Sequence, residues 1–349
     1  MASTESKFNI TLRLNGRIAR AQVSPRLHLA DLLRTEFRLT GLHVGCEHGI
    51  CGACNVLVDG IVIRGCLTLA IQADGAEVIT IEGLTENTEF KRLQQAFVQR
   101  NALQCGFCTS GILMTAWELV RREGALSREH IREQIAGNYC RCTGYQAIVD
   151  AIESVAAQRR RHEEVQAEAR VRSITGAPCA RPNATILAEG RGTYTDDVVL
   201  PNMAHVVFVR SPHAHARIAS IDVTAARSAS EVVAVFTGAD LAAICPPWQT
   251  RLARIPSHRS TPQPPIAVEE VCWQGETVAA VVAATRAQAE DAAELIEVEW
   301  NVLPAVIGLS NALEDGSPVV HTSMSDNLAV DQHIATGDTA KKFSEAAVM

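Results

Sequence analysis

Alternating apolar and polar residues predict short strands in the first 84 residues. The first strand covers residues 8–14 and turns at Asn15-Gly16 into a second at 18–23. Ser24-Pro25 predicts the start of a helix, as its cap and first residue. A hairpin turning at Asp59-Gly60 and a strand at 78–81 follow. Together they predict a small mixed sheet with one helix across it.

From Glu89 the apolar period becomes helical. Apolar positions mark one helix at 90–98, a second at 112–120, a third capped by Ser127, and a fourth at 145–155. A strand–helix–strand pattern comes later, with a buried strand at 278–284, an alanine-rich helix at 287–295 and an alternating strand from 296 to 300. The predicted fold class is therefore α+β.

Four cysteines lie between Val44 and Cys66, separated by four, two and eleven residues: Cys46, Cys51, Cys54 and Cys66. A C-x4-C-x2-C run with a later cysteine is the plant-type ligand pattern for a [2Fe–2S] cluster. Interspersed glycines let such a loop wrap closely around a cluster. Zinc is the alternative, although structural zinc sites usually come as two separated pairs of ligands.

Four more cysteines lie among the predicted helices: Cys105, Cys108, Cys140 and Cys142. We place both pairs at helix N-termini, where amide donors and the helix dipole favour thiolates and an anionic cluster. The spacing favours a second iron–sulfur cluster and leaves zinc open.

The motifs GCEHGICGAC, QCGFCTSG at 104–111 and NYCRCTGY at 138–145 resemble the iron–sulfur subunit of the xanthine dehydrogenase and aldehyde oxidase family of molybdenum hydroxylases. They are particularly similar to small subunits of the carbon monoxide dehydrogenase type. The resemblance implies a β-grasp ferredoxin-like domain over residues 1–84 and a four-helix domain over 85–158, each with one [2Fe–2S] cluster. It also implies that Cys142 lies close to a molybdopterin cytosine dinucleotide, to which Gln104 hydrogen-bonds.

The region from 184 to 310 resembles the α/β hammerhead domain of the molybdenum-binding large subunit, through RGTYTDDVVLPNMAHVVFVRSPHAHARIASIDV. Residues 159–183 read as a linker, in which Cys179 is an incidental thiol. Residues 311–349 resemble the start of the first molybdenum-cofactor domain, so the family's catalytic glutamate is expected beyond residue 349.

A few side chains of the hammerhead-like region invite other interpretations. His213-Ala-His215 suggests a metal site, but two histidines without a third ligand are more often structural. Arg210 and Arg217 are expected to anchor a loop or a contact between domains.

Composition narrows the function classes. The net charge of −7 gives no support to nucleic-acid binding. The longest apolar run, Val278–Ala284, is too short for a membrane span, and the N-terminus does not read as a signal peptide. We therefore expect a cytoplasmic protein, in which metal or catalysis explains the eleven cysteines better than disulfides.

The expected function is electron transfer inside a molybdenum hydroxylase, through two [2Fe–2S] clusters. The implied partners are a molybdopterin-binding large subunit or domain and an FAD-binding medium subunit, since no FAD domain is recognised here. Two alternatives remain at this point: a truncated, non-catalytic iron–sulfur protein, and a zinc-binding structural adaptor.

Overall fold

The computed structural model describes residues 6–123, 126–161, 179, 181–252, 254–255, 257–334 and 336–346. They form two compact units, which divide between residues 198 and 199. The predicted linker at 159–183 falls mostly outside the described residues.

The first unit opens with a five-stranded sheet. Its strands are β1 (Phe8–Leu14), β2 (Arg17–Val23), β3 (Asn55–Val58), β4 (Ile61–Arg64) and β5 (Glu77–Ile79). Their order is β2-β1-β5-β3-β4, in which only the β1–β5 pair is parallel. Positive φ angles at both residues of Asn15-Gly16 and of Asp59-Gly60 confirm the two predicted hairpin turns.

The helix after β2 begins later than predicted. It comprises α1 (Leu29–Asp31) and a π-helical continuation over Leu32–Glu36. The side chain of His28 caps it by accepting from the Asp31 amide at 3.2 Å. The prediction of a start at Ser24-Pro25 is wrong, because the Ser24 hydroxyl instead accepts from the Arg26 amide within a local turn.

The remaining helices of the first unit pack beside the sheet: α2 (Ile81–Leu84), α3 (Thr88–Gln99), α4 (Thr109–Arg122), α5 (Arg128–Ile135), α6 (Gln146–Arg161) and α7 (Ala184–Ala188). The predicted cap at Ser127 is confirmed, since its hydroxyl accepts from the His130 amide at 3.1 Å. The strand predicted at 78–81 ends at Ile79, and Ile81 instead begins α2. Leu57 of β3 joins the buried core of the helices, so sheet and bundle share apolar packing.

The second unit contains two antiparallel three-stranded sheets, ordered β6-β10-β8 and β11-β7-β9. Their strands are β6 (His205–Arg210), β7 (Ala216–Asp222), β8 (Val232–Thr237), β9 (Glu270–Val271), β10 (Thr277–Ala283) and β11 (Glu297–Val302). The helices are α8 (Thr224–Arg227), α9 (Gly238–Ala242), α10 (Arg286–Ala293) and α11 (Thr339–Ser344). The predicted pattern of strand, helix and strand is confirmed as β10, α10 and β11.

Among the described residues, no helix combines the length and the apolar character that crossing a membrane requires.

Candidate metal centres

The first quartet of cysteines is Cys46, Cys51, Cys54 and Cys66, and the fold brings all four together. The first two lie on the loop before β3, Cys54 immediately precedes that strand, and Cys66 follows β4. The thiols of Cys46 and Cys51 are in contact, as are those of Cys54 and Cys66. The β3–β4 hairpin thus returns the last cysteine to the other three, as its turn predicts.

Backbone amides point at one sulfur of this quartet. The amides of His48 and Cys51 each lie 3.4 Å from Cys46 Sγ. Burial acts to raise the pKa of Cys46, but hydrogen bonds from the Cys51 and His48 amides outweigh it and lower that pKa to about 7. Burial raises the pKa of Cys54 to about 12. Donors to sulfur suit a thiolate or an anionic cluster, so the loop fits a [2Fe–2S] group.

The second quartet is Cys105, Cys108, Cys140 and Cys142. Cys108 is the N-cap of α4, and its thiol contacts that of Cys140. The sulfurs of Cys142 and Cys105 lie 3.6 Å apart. Cys105 and Cys142 are exposed, whereas Cys108 is buried. This quartet therefore has one face open to its surroundings.

The placement of Cys140 and Cys142 differs from the prediction. They lie in the loop before α6, which begins only at Gln146. Thr143 supplies the donors instead, with its hydroxyl 3.1 Å and its amide 3.4 Å from Cys140 Sγ. Burial acts to raise the pKa of Cys140, but these hydrogen bonds outweigh it and lower that pKa.

One hydrogen bond joins the two quartets through the backbone. The Tyr139 amide donates to the Cys51 carbonyl at 2.8 Å, and Tyr139 immediately precedes Cys140. Beside it, Asn138 Nδ2 donates to the Gly52 carbonyl at 3.1 Å. Gly52 has a φ of +69°, and a Cβ there would lie 2.5 Å from Asn138 Nδ2 and 2.6 Å from the Gly137 carbonyl. This glycine is what allows the two loops to meet so closely.

A buried histidine, His43, bonds to both cysteine loops, and no spacing of residues along the chain singles it out in advance. The amide of His43 donates to the Ala53 carbonyl at 3.3 Å, and its Nδ1 lies 2.8 Å from the Phe107 carbonyl. Its ring stacks on Phe107 and meets Tyr194 edge-on, with both centroid separations 4.7 Å. Burial lowers the pKa of His43 to about 4. The ring is therefore neutral near pH 7.

Three family models match this chain in succession. Residues 12–77 match the 2Fe-2S iron-sulfur cluster binding domain, 80–153 the [2Fe-2S] binding domain, and 189–304 the a/b hammerhead domain of aldehyde oxidase and xanthine dehydrogenase. The nicotine 6-hydroxylase small subunit of Paenarthrobacter nicotinovorans is 47% identical over 150 residues, which are 43% of this chain and 90% of that subunit. The chain belongs to the xanthine dehydrogenase and aldehyde oxidase family.

Other members of the family match in the same way. Caffeine dehydrogenase subunit gamma of Pseudomonas sp. strain CBB1 is 50% identical over 153 residues, which are 43% of this chain and 92% of that subunit. Aldehyde oxidoreductase of Megalodesulfovibrio gigas is 33% identical over 350 residues, which are 97% of this chain and 38% of that protein. The solved structure of the Desulfovibrio gigas aldehyde oxidoreductase superposes with a TM-score of 0.80 at 31% identity, covering 98% of this chain and 39% of that one.

These matches establish the iron–sulfur part of a molybdenum hydroxylase-type oxidoreductase, with two [2Fe–2S]-binding domains followed by a hammerhead domain. Gln104, which the family resemblance places at a pterin, is exposed next to the exposed Cys105. Its carbonyl accepts a hydrogen bond from Arg181. The family role of Gln104 stays a prediction.

Of the two histidines in the His213-Ala-His215 motif, His215 is bonded within the fold through both ring nitrogens. His215 Nδ1 lies 2.8 Å from the Pro304 carbonyl, and Nε2 lies 2.6 Å from a Glu270 carboxylate oxygen. Throughout the described residues, no three His, Cys, Asp or Glu side chains are placed to hold one metal ion. A [2Fe–2S] cluster needs no such trio, because four thiolates are shared between two irons. Arg210 holds a loop, as predicted, by donating to the Gly275 carbonyl at 2.9 Å.

Proposed function

We propose that this chain carries electrons from a molybdopterin centre to an acceptor through two [2Fe–2S] clusters. The proposed ligands are the first quartet, within a β-grasp domain at 1–84, and the second quartet, within a helical domain at 85–158. Bound [2Fe–2S] clusters supply single-electron redox chemistry. The matches to iron–sulfur subunits support this function over the zinc-binding adaptor.

The observation that carries the proposal is the hydrogen bond between the quartets. From Cys51 Sγ, covalent bonds lead to the Cys51 carbonyl, the 2.8 Å bond crosses to the Tyr139 amide, and covalent bonds lead on to Cys140 Sγ. A structural zinc protein has no need of a connection between its two sites. An electron carrier does, because a short bonded route supports transfer from one site to the other.

The exposure of the cysteines supports an order of electron transfer along this route. Cys105 and Cys142 are exposed, whereas Cys54 and Cys66 are buried. The second quartet is therefore suited to receive electrons from a partner, with Cys142 and Gln104 facing a molybdopterin cytosine dinucleotide held by a large subunit or domain. The first quartet would then pass them to an FAD-binding subunit or another acceptor. We place this function in the cytoplasm, where cysteines stay reduced and available to iron.

Metal analysis and electron paramagnetic resonance (EPR) test the proposal. We expect about four irons and about four sulfides per chain, and two distinct signals after reduction with dithionite. Cys51→Ser should remove the signal of the first cluster and leave the second, because each quartet is held by its own loops. Cys108→Ser should do the reverse. Stoichiometric zinc without labile sulfide would overturn the proposal, and loss of both signals from either change would refute two separate sites.

A further inference from the structure

A strap, residues 181–198, crosses both parts of the first unit. At one end its helix α7 packs against α3 and α4, and the buried Gln94 side chain donates to the Ala188 carbonyl at 3.0 Å. At the other end Asp197 forms a 2.7 Å ion pair with Arg34, beside the sheet, with the two side chains 7% and 9% exposed. The strap therefore ties the helices to the sheet.

The middle of the strap reaches the second quartet through Tyr194. Its hydroxyl donates to the carbonyl of Cys105 at 2.9 Å. Its ring meets the Phe107 ring edge-on at 5.3 Å. A Cβ on Gly106, where φ is +85°, would lie 2.8 Å from the Tyr194 oxygen. Tyr194 thus closes over the loop that carries two of the four thiols.

Asp197 holds Tyr194 in this position. One of its carboxylate oxygens accepts from the Tyr194 amide at 2.8 Å, and the other accepts from Arg34 at 2.7 Å. Arg34 is fixed in turn by donating to the Leu42 carbonyl at 2.7 Å. A buried, fully bonded pair of this kind specifies one geometry, because loss of either partner leaves an uncompensated charge.

We propose that Tyr194 is a positioning residue that completes the second iron–sulfur site from within the hammerhead part of the sequence. Residues 189–198 fall inside the hammerhead match, yet they pack on the iron–sulfur unit. The hydroxyl hydrogen offsets the negative end of the Cys105 carbonyl dipole beside the site. That offset makes an added electron easier to accept, because hydrogen bonding around a cluster tunes its potential. This inference rests on the proposed function, in which Cys105 is a ligand.

A redox titration of the full chain, followed by EPR, tests the inference. Tyr194→Phe keeps the ring and removes only the hydroxyl, so both clusters should still assemble with unchanged iron content. The midpoint potential of the second cluster should shift to more negative values, and that of the first should stay. Asp197→Asn should alter the EPR signal of the second cluster and leave that of the first unchanged, because Tyr194 loses the anchored carboxylate.

Thr195→Val is the matched control. Thr195 follows Tyr194 in the strap, but its side chain is exposed, and the change removes a hydroxyl while keeping the shape of the side chain. Its potentials should equal those of the wild type. If the wild-type protein holds two clusters and the potentials of Tyr194→Phe equal those of the wild type, the inference is overturned and the proposed function stands. Equal shifts in the potentials of both clusters would also overturn the inference. A wild-type protein without clusters would overturn both the proposed function and the inference.

Discussion

At the scale of single residues, His43 shows how burial sets a protonation state between the two cysteine loops. Its side chain is 3% exposed, and its pKa is lowered to about 4, chiefly because burial penalises the charged ring. In the unfolded chain the same ring has a pKa of about 6.5. Between these two pKa values the unfolded state binds a proton and the folded state does not, so the free energy of unfolding decreases as the pH falls.

We therefore expect the free energy of unfolding to drop by about 2 kcal/mol between about pH 7 and about pH 5 through His43 alone. His43→Asn keeps a donor for the Phe107 carbonyl but cannot titrate, so its stability should be lower at neutral pH and flatter across this window. Urea unfolding at several pH values measures both slopes. His48→Asn, an exposed change in the same loop, is the control and should keep the wild-type slope. Parallel slopes for His43→Asn and wild type would contradict this account.

At the scale of elements, the sequence predicted the features that depend on interactions between neighbouring residues. The Asn15-Gly16 and Asp59-Gly60 turns, the Ser127 cap and the cysteine spacings all depend on residues close in sequence, and each could be read directly. The start of the helix at His28 could not, because the Leu29 amide bonds the Thr68 carbonyl at 2.7 Å. His43 and the strap were missed for the same reason. Their partners lie tens of residues away, and a single sequence carries no pattern for such contacts.

The close contact of the first cysteine loop with the helical part of the unit, made at Gly52, gives a prediction about stability. Gly52 and Gly60 both have positive φ angles, +69° and +83°, but a Cβ at Gly60 meets nothing within 4 Å. Gly60→Ala should therefore lower the free energy of unfolding by about 1 kcal/mol, from backbone strain alone. Gly52→Ala adds a clash with Gly137 and Asn138 and should cost about 2–4 kcal/mol.

Urea unfolding of the two variants gives the comparison, and Gly60→Ala serves as the control for strain. Gly52→Ala should also alter the magnetic interaction between the two EPR signals, because the loops must move apart. Equal losses in the free energy of unfolding for the two variants would mean that the structure around Gly52 accommodates the added Cβ without further cost, which would contradict the prediction.

At the scale of the whole molecule, the second unit presents an apolar sheet face. Phe208 of β6 and Phe236 of β8 both pair with Ala280 of β10, so the three side chains share one side of the sheet. The two phenylalanines are 48% and 38% exposed, and Val206 on the same side is 50% exposed. The opposite side packs Val235 and Val281 into a buried core with residues of α8 and α10. Contiguous exposed apolar residues of this kind mark an interaction surface.

Under the proposed function, the partner for this face is the molybdopterin-binding subunit or domain, and without it the chain should self-associate. Replacing Phe208 and Phe236 together by Ser should shift the protein from oligomers to monomer in sedimentation velocity and lower its binding of a hydrophobic dye. The change should leave both iron–sulfur signals intact, because it lies in the other unit. Ile18→Ser is the control: Ile18 is 70% exposed on β2 of the first unit, and its removal should leave self-association unchanged. A wild-type chain that is monomeric at all concentrations would contradict the prediction, because an apolar face that needs a partner would then stay uncovered without consequence.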